Sequence, residues 1–174
     1  SDAISTINTI IFPNIEEINQ TLPNAEAEDF FVAMAARSIT IVRGSSPFYL
    51  EDSKNKLLIA SSMPQFLEAG KKRFPKASVS NLANCTSNAT AFDTIIFCLE
   101  DFDSLNVLQE LISLFPKKNY IVVSAMSPIY LPYIPNVQNV IATYSNSPFS
   151  FLAVFSAIAG DFVPRGKMPL SKIK

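Results

Sequence analysis

A continuous apolar run in the middle of the chain, Thr94 to Leu99, does most to limit the folds open to this sequence. Such a run is typical of a β-strand buried on both faces, because a half-exposed strand would alternate apolar and polar residues. A helix can begin directly after it, at Asp101 or Asp103. The apolar residues of that helix recur at helical spacing: Phe102, Leu105, Leu108, Ile112 and Phe115. A strand buried on both faces needs cover on both, so this unit predicts an α/β fold.

The same strand-and-helix unit recurs along the chain. Other short apolar runs predict strands at 57–60, 77–80, 120–124 and 140–143. The polar stretch Asn81 to Asp93 is long enough for a parallel crossover with one short helix. This repetition predicts a three-layer α/β sandwich around a mostly parallel, flavodoxin-like sheet of five or six strands. The β-branched stretch Ile39 to Val42 would add a strand at one edge.

Residue types at segment ends predict the boundaries of the domain. Ser147 fits the N-cap of the last helix, Pro148 its first position, and Gly160 the residue just past its end. Asn24 can cap an entry helix that runs to about Arg37. Residues 1–23 show no clear period and are predicted to be a linker or the remnant of an upstream region. The α/β domain would then occupy residues 24–174.

The composition argues against several classes of function. Histidine is absent, which removes the commonest general base and the commonest zinc ligand, and two cysteines cannot build a zinc site alone. We therefore expect no metal and no catalytic residue of these kinds. The four glycines form no Gly-rich loop after a strand, so no nucleotide or flavin cofactor is expected. A formal net charge of −1 and scattered basic residues argue against nucleic acid. No apolar stretch approaches the ~20 residues of a membrane span.

The two cysteines occupy different surroundings in the sequence. Cys98 lies in the central apolar run and is expected to be buried, whereas Cys85 lies in a polar stretch that predicts a free surface thiol. A disulfide between them stays open at this stage, because sequence alone does not determine pairing.

One acidic pair stands where parallel sheets bind ligands, beyond the carboxyl ends of their strands. Glu100 and Asp101 follow the central strand, whereas the other strand ends carry serine and asparagine. Their functional interpretation is a carboxylate that serves as a general acid or holds sugar hydroxyls. In the structural interpretation, which is favoured because helix starts routinely carry acids, Asp101 caps the next helix and Glu100 complements its dipole. Under the functional interpretation, Glu100 and Asp101 are the candidates for substrate binding.

Three stretches, in chain order, resemble segments of one known family. The last of them, Asp161-Phe162-Val163-Pro164-Arg165-Gly166-Lys167-Met168-Pro169-Leu170-Ser171, is similar to the segment that closes the C-terminal α/β domain of glycoside hydrolase family 3. Ser127 to Leu131, followed by Tyr133 to Val137, resembles the family's S/N-P-Y-D-L loop and the P-x-V that leads into the next strand. Ala35 to Arg43 resembles the end of its entry helix and the following strand. The resemblance covers about residues 25–172.

This resemblance implies an accessory role. In the family the nucleophilic aspartate lies in an N-terminal barrel, whose motifs are missing from this sequence, so the resemblance implies no catalytic residue here. The stretch that bears the acid/base glutamate in the family's β-glucosidases has no close match, which favours the β-N-acetylhexosaminidase branch. The implied partner is the catalytic barrel of the same polypeptide, with carbohydrate contacted indirectly and a homodimer also open.

The family resemblance favours the cell envelope or secretion as the location. Proline and glycine restrict the segment from Pro164 to Ser171 without making a helix, which predicts a clamp over the domain surface; a merely ordered terminus is the alternative. The competing hypothesis is a free-standing flavodoxin-like binding or interaction module without hydrolase activity, since a fold of this kind hosts many functions.

Overall fold

The computed structural model describes residues 24–49 and 56–166. Their helices and strands, in chain order, are α1 (Asn24–Ala36), β1 (Thr40–Arg43), β2 (Leu57–Ala60), α2 (Pro64–Arg73), β3 (Ser78–Ser80), α3 (Leu82–Ala89), β4 (Thr94–Leu99), α4 (Phe102–Leu114), β5 (Asn119–Ala125), a 3-10 helix (Pro128–Tyr133), β6 (Asn139–Thr143) and α5 (Pro148–Ala159). The predicted α/β sandwich is confirmed. The linker predicted at 1–23 and the predicted clamp residues 167–171 lie outside the described residues.

The six strands form one sheet in the order β1-β6-β5-β4-β2-β3. Strands β2 to β6 are parallel, and β1 lies at the edge as predicted, where it pairs antiparallel with β6. The chain moves outward from β2 to β3 and then returns to the other side of β2 to form β4. This reversal is the topological switch point of a flavodoxin-like sheet, and it lies between β2 and β4.

Strand β4 lies at the centre, and all six of its residues are buried. Because side chains alternate along a strand, Ile95, Phe97 and Leu99 join the apolar cluster under α3 and α4. Ile96 and Cys98 join the cluster on the opposite face, under α2 and α5. The sheet therefore has a separate core on each face, as the continuous apolar run predicts.

Helix ends follow the predicted chemistry, whereas some inward faces differ. Ser147 Oγ accepts the N–H of Ser150 at 3.1 Å at the start of α5, and Gly160 ends the helix with φ 83°. The predicted inward position of Phe102 was wrong, because this residue is 63% exposed. The buried face of α4 is formed by Leu105, Leu108 and Leu111, and Phe102, the first residue of the helix, does not lie on it. In α1, Phe30 and Met34 are also exposed.

The prediction of a surface thiol at Cys85 was wrong. Cys85 is fully buried because α3 turns it toward the sheet, and burial raises the pKa of its thiol to about 11. Cys98 is buried as predicted. Both thiols are free and belong to the cores on opposite faces of the sheet.

Residues at the C-terminal end of the described chain contact the edge strand region. The N–H of Gly166 donates to the carbonyl of Ile39 at 3.1 Å. A Cβ at position 166 would lie 2.4 Å from that carbonyl oxygen, so only glycine fits this approach. The described part of the predicted clamp thus packs on the chain just before β1. In the residues that the structure covers, no helix has the length and apolar character needed to cross a membrane.

An aromatic cluster fills the space between α2 and α5. The ring of Phe66 lies 5.1 Å from that of Phe151 and 4.8 Å from that of Phe155, measured between centroids. Gly70 lets the two helices approach, because a Cβ there would lie 2.7 Å from atoms of both Ile59 and Phe155. The small residue is therefore required by packing rather than by backbone conformation.

Overpacking at Gly70 should cost about 1–3 kcal/mol, whereas the change to alanine gains about 1 kcal/mol in helix propensity, so Gly70→Ala should destabilise the domain by up to about 2 kcal/mol. Urea unfolding monitored by circular dichroism measures the change in free energy. The control is Glu68→Ala on the exposed side of the same helix, expected within about 0.5 kcal/mol of wild type. An equal or higher stability of Gly70→Ala would contradict the packing argument.

A bidentate ion pair joins the end of α2 to the turn after α5. Arg73 Nε and Nη2 each donate to an oxygen of Asp161 at 2.8 Å. Hydrogen bonding to this guanidinium lowers the pKa of Asp161. The stabilisation that follows is present above the unfolded-state pKa of about 4 and is lost as the pH falls through the lower folded-state pKa.

Asp161→Asn should therefore lower the free energy of unfolding at pH 7 by about 0.5 kcal/mol, since the pair is partly exposed. The difference from wild type should shrink as the pH falls from about 4 to about 2. Urea unfolding across this range measures it. Arg73→Gln should show the same narrowing of the difference at low pH, in addition to a loss independent of pH, because Arg73 also lies over the ring of Phe74. A difference independent of pH would argue against the ion pair.

Candidate functional site

The switch point brings together the residues that follow β2 and β4. We call the rim formed by the carboxyl ends of β2 to β6 the carboxyl edge. Ser62 follows β2, Glu100 follows β4, and the Ser62 hydroxyl donates a hydrogen bond to the carboxylate of Glu100. Two segments that are 38 residues apart in sequence meet here through side chains. Sequence reasoning placed Glu100 at this rim but did not single out Ser62 as its partner.

The backbone around Glu100 is held by the start of α4. Ser104 Oγ accepts the N–H groups of both Glu100 and Asp101 at 3.0 Å. Glu100 itself is half-buried, so its carboxylate is held at the mouth of the switch point but stays accessible. Such a group can accept hydrogen bonds from hydroxyl or N–H donors of a ligand or of a neighbouring domain.

Asp101 serves the structural role that was favoured for it. Its carboxylate accepts the N–H of Ser104 at 2.8 Å, and the reciprocal bond from Asp101 N–H to Ser104 Oγ completes a capping box. One carboxylate oxygen is therefore occupied by the helix end. Of the acidic pair, Glu100 is the one aimed across the switch point.

Most other polar groups of the carboxyl edge complete local turns and caps. Asn81 Oδ1 accepts the N–H of Asn84 at 3.0 Å and caps α3. Ser145 Oγ accepts the N–H of Ser147 at 3.1 Å, and Ser124 Oγ donates to the carbonyl of Ser127 at 3.2 Å. The serine and asparagine residues at the strand ends therefore lie along one rim, as the sequence predicts, but the hydrogen bonds of these three side chains stabilise the fold.

Two further features of the edge had no signal in the sequence. Met126 has φ 68°, and the N–H of Ser127 donates to the carbonyl of Ala125 at 2.8 Å, which makes a tight turn in a conformation that side chains rarely adopt. The hydroxyl of Tyr144 is buried without a hydrogen-bond partner among the described residues, and burial raises its pKa. Strain and unpaired polar groups are costly and cluster at functional sites.

Three large apolar side chains are exposed on this edge. Phe102 is 63% exposed, Met126 53% and Ile129 57%, and they follow the adjacent strands β4 and β5. Single exposed apolar residues are ordinary, but a group beside an accessible carboxylate is typical of a surface that contacts another molecule.

The chemistry available at the edge is limited. Hydrolysis of a glycosidic bond by the usual route needs two carboxyl groups that flank the bond, and Asp101 is engaged in its cap. Cys98 lies beneath the edge, and burial, followed by the Glu100 carboxylate, raises the pKa of its thiol, so it is not a nucleophile at neutral pH. Within 24–49 and 56–166, no three His, Cys, Asp or Glu side chains are placed to hold a metal ion.

Two substitutions at Asp101 distinguish its helix-capping hydrogen bond from an effect of its negative charge on stability. Asp101→Ala should lower the free energy of unfolding by about 1 kcal/mol, because the N–H of Ser104 loses its acceptor. Asp101→Asn keeps an acceptor and should stay within about 0.5 kcal/mol of wild type. Urea unfolding measures both. An equal loss in the two variants would contradict the capping role.

No protein-family model matches the chain, and no curated protein matches its sequence. Solved structures of family 3 glycoside hydrolases nevertheless share its fold. A family 3 β-N-acetylglucosaminidase from Paenibacillus sp. str. FPU-7 superposes with a TM-score of 0.69 at 17% identity, over 84% of this chain and 33% of that one. A fungal multi-domain family 3 β-N-acetylglucosaminidase gives 0.69 at 19% identity, over 84% of this chain and 19% of that one.

A β-glucosidase from Listeria innocua matches with a TM-score of 0.60 at 10% identity, over 83% of this chain and 26% of that one. The chain thus spans a third or less of each of these three structures. The resemblance read from the sequence is confirmed at the level of fold, and the fold is the size of one domain in larger enzymes.

Proposed function

We propose that the chain is the accessory α/β domain of a family 3 glycoside hydrolase, and that it packs on a catalytic barrel carried by the same polypeptide. The observation that carries this proposal is the asymmetry of coverage: 84% of this chain superposes on 33% of the Paenibacillus enzyme. Three sequence stretches that resemble the family's C-terminal domain support it. At the candidate site Glu100 is the carboxylate aimed across the switch point, whereas that of Asp101 caps a helix, which fits an accessory role better than independent catalysis.

The substrate we propose is a β-linked N-acetylhexosaminide. Both β-N-acetylglucosaminidases superpose at 0.69, whereas the β-glucosidases and the β-glucoside phosphorylase superpose at 0.59 to 0.62. This sequence has no close match to the stretch that bears the acid/base glutamate in the family's β-glucosidases, which also favours an N-acetylhexosaminide substrate. The catalytic carboxylates would then both belong to the barrel.

The carboxyl edge is the surface that we propose for packing on the barrel. Its exposed Phe102, Met126 and Ile129 supply an apolar contact, and Glu100 supplies a polar one beside them. In that position Glu100 would line one wall of the sugar cleft. A second copy of the domain or an unrelated partner could use the same surface, which is the alternative of a free-standing interaction module.

The first test is hydrolysis of 4-nitrophenyl β-N-acetylglucosaminide and 4-nitrophenyl β-glucoside by this chain and by the longest natural polypeptide that contains it. We expect turnover by the longer polypeptide alone, with preference for the N-acetylglucosaminide. Turnover by the isolated chain would overturn the accessory role. A natural polypeptide that is inactive on both, or one that ends at this length, would favour the free-standing module.

A second test addresses Glu100 in the active polypeptide. Glu100→Gln should raise KM about tenfold with little change in kcat, because a hydrogen bond to a charged group is worth about 1.5–3 kcal/mol and here acts on binding. Asp103→Asn is the matched control, since Asp103 is an exposed acid on the first turn of α4. A fall in kcat at unchanged KM would assign Glu100 to the chemical step, and no change would remove it from the cleft.

A further inference from the structure

We propose that this domain has a separate saccharide-binding groove, away from the carboxyl edge, which takes a neutral oligosaccharide. The groove lies between α4 and the loop that leads into β6. One part, of about 230 Å³, is lined by residues that include Gln109, Ile112, Ser113, Tyr133 and Asn136. We call the whole depression the α4 groove. It is independent of Glu100 and of the function proposed above.

The groove continues toward the amino ends of β5 and β6. A second part, of about 260 Å³, shares Ile112, Asn136 and Val137 with the first and is lined also by Asn119 and Asn139. Together the two parts reach the range of about 300–1,000 Å³ that is usual for small-ligand sites. Amino and carboxyl ends of parallel strands lie at opposite edges of a sheet, so a ligand here would not compete with a partner at the carboxyl edge.

The wall of the groove is held rigidly from behind. The guanidinium of Arg43, on the edge strand β1, donates to three carbonyl oxygens of the loop: Ile134 at 2.6 Å, Val137 at 3.2 Å and Leu131 at 3.1 Å. Gln109 Nε2 donates to the carbonyl of Tyr133 at 3.2 Å and ties the loop to α4. Pro132 and Pro135 further restrict the backbone on either side of Tyr133. A wall ordered before binding lowers the entropic cost of taking a ligand.

Three polar side chains that line the groove are uncharged and make no hydrogen bond within the described chain. The hydroxyls of Ser113 and Tyr133 and the side-chain amide of Asn136 make no hydrogen bond within the described chain, and all three residues are exposed. Hydroxyls and amides both donate and accept, which suits the mixed donors and acceptors of sugar hydroxyl and acetamido groups. Tyr133 is 63% exposed, and its ring offers an apolar face for the C–H face of a sugar ring.

The charges around the groove favour an uncharged ligand. Among the described residues no acidic side chain lines either part, and Lys118 is the one basic residue that does. Its ammonium donates to the carbonyl of Phe92 at 2.6 Å. Asn139 Nδ2 donates to Asn119 Oδ1 at 3.1 Å, so this pair presents a fixed amide surface at the end of the groove. A phosphate or carboxylate ligand would find a single ammonium already bonded to a carbonyl rather than a cluster of cations, whereas a neutral saccharide would find amides, hydroxyls and the exposed Tyr133 ring.

The test is an NMR titration of the isotope-labelled 174-residue chain with the β-1,4-linked trimers of N-acetylglucosamine and of glucose, up to about 10 mM. We expect saturable shifts, with at least one trimer, of backbone amide signals that include Ser113, Tyr133 and Asn136. Tyr133→Ala should weaken binding at least about tenfold, and Asn136→Ala about threefold to tenfold. Both residues are exposed, so the folded spectrum should be retained.

The matched control is Phe102→Ala, because Phe102 is also an aromatic residue with 63% exposure but lies on the carboxyl edge. Its affinity for the trimer should equal that of wild type. Failure of both trimers to bind, shifts confined to the carboxyl edge, or equal losses in Phe102→Ala and Tyr133→Ala would each overturn the proposal. The hydrolysis assays can fail without affecting this result, and the reverse also holds.

Discussion

The requirement to cover β4 on both faces governs the rest of the structure. Its side chains alternate between two cores, so helices must lie above and below the sheet, and parallel neighbours with right-handed crossovers follow. The chain satisfies this requirement by building outward from β2 in two directions. The reversal between β2 and β4 opens the one place where the strand ends are not bridged by their own connections. Glu100 lies there because it is the residue that follows the central strand.

Much of the fold could be predicted because its signals are local and redundant. The apolar runs that form β2, β4 and β5, and the Ser147, Pro148 and Gly160 boundaries of α5, are readable without tertiary information. The orientation of a short or weakly periodic helix cannot be predicted in this way, because it depends on which face of the helix packs against the sheet. This explains why Cys85 is buried despite its polar neighbours and why Phe102 is exposed despite its apolar spacing.

The candidate site was less predictable than the fold. The sequence predicts polar residues at the strand ends. Which of these side chains cap a helix depends on where the backbone N–H of the residue three positions later lies. Asp101 is engaged by Ser104, whereas Glu100 reaches Ser62 across the switch point. The hydrogen bonds from Arg43 to three backbone carbonyls have no signature in the sequence, because every residue has a carbonyl group. Grooves formed in this way must be found in three dimensions.

The burial of the two thiols on opposite faces of the sheet has a consequence for motion. A thiol reagent can reach Cys85 only when the layer formed by α3 and α4 opens, and Cys98 only when the layer formed by α2 and α5 opens. The raised pKa of each thiol also keeps it unreactive until it is exposed. The labelling rate of each thiol therefore reports how often the helical layer above it opens. Comparing their labelling rates would tell whether the layers open together as one cooperative unit or separately.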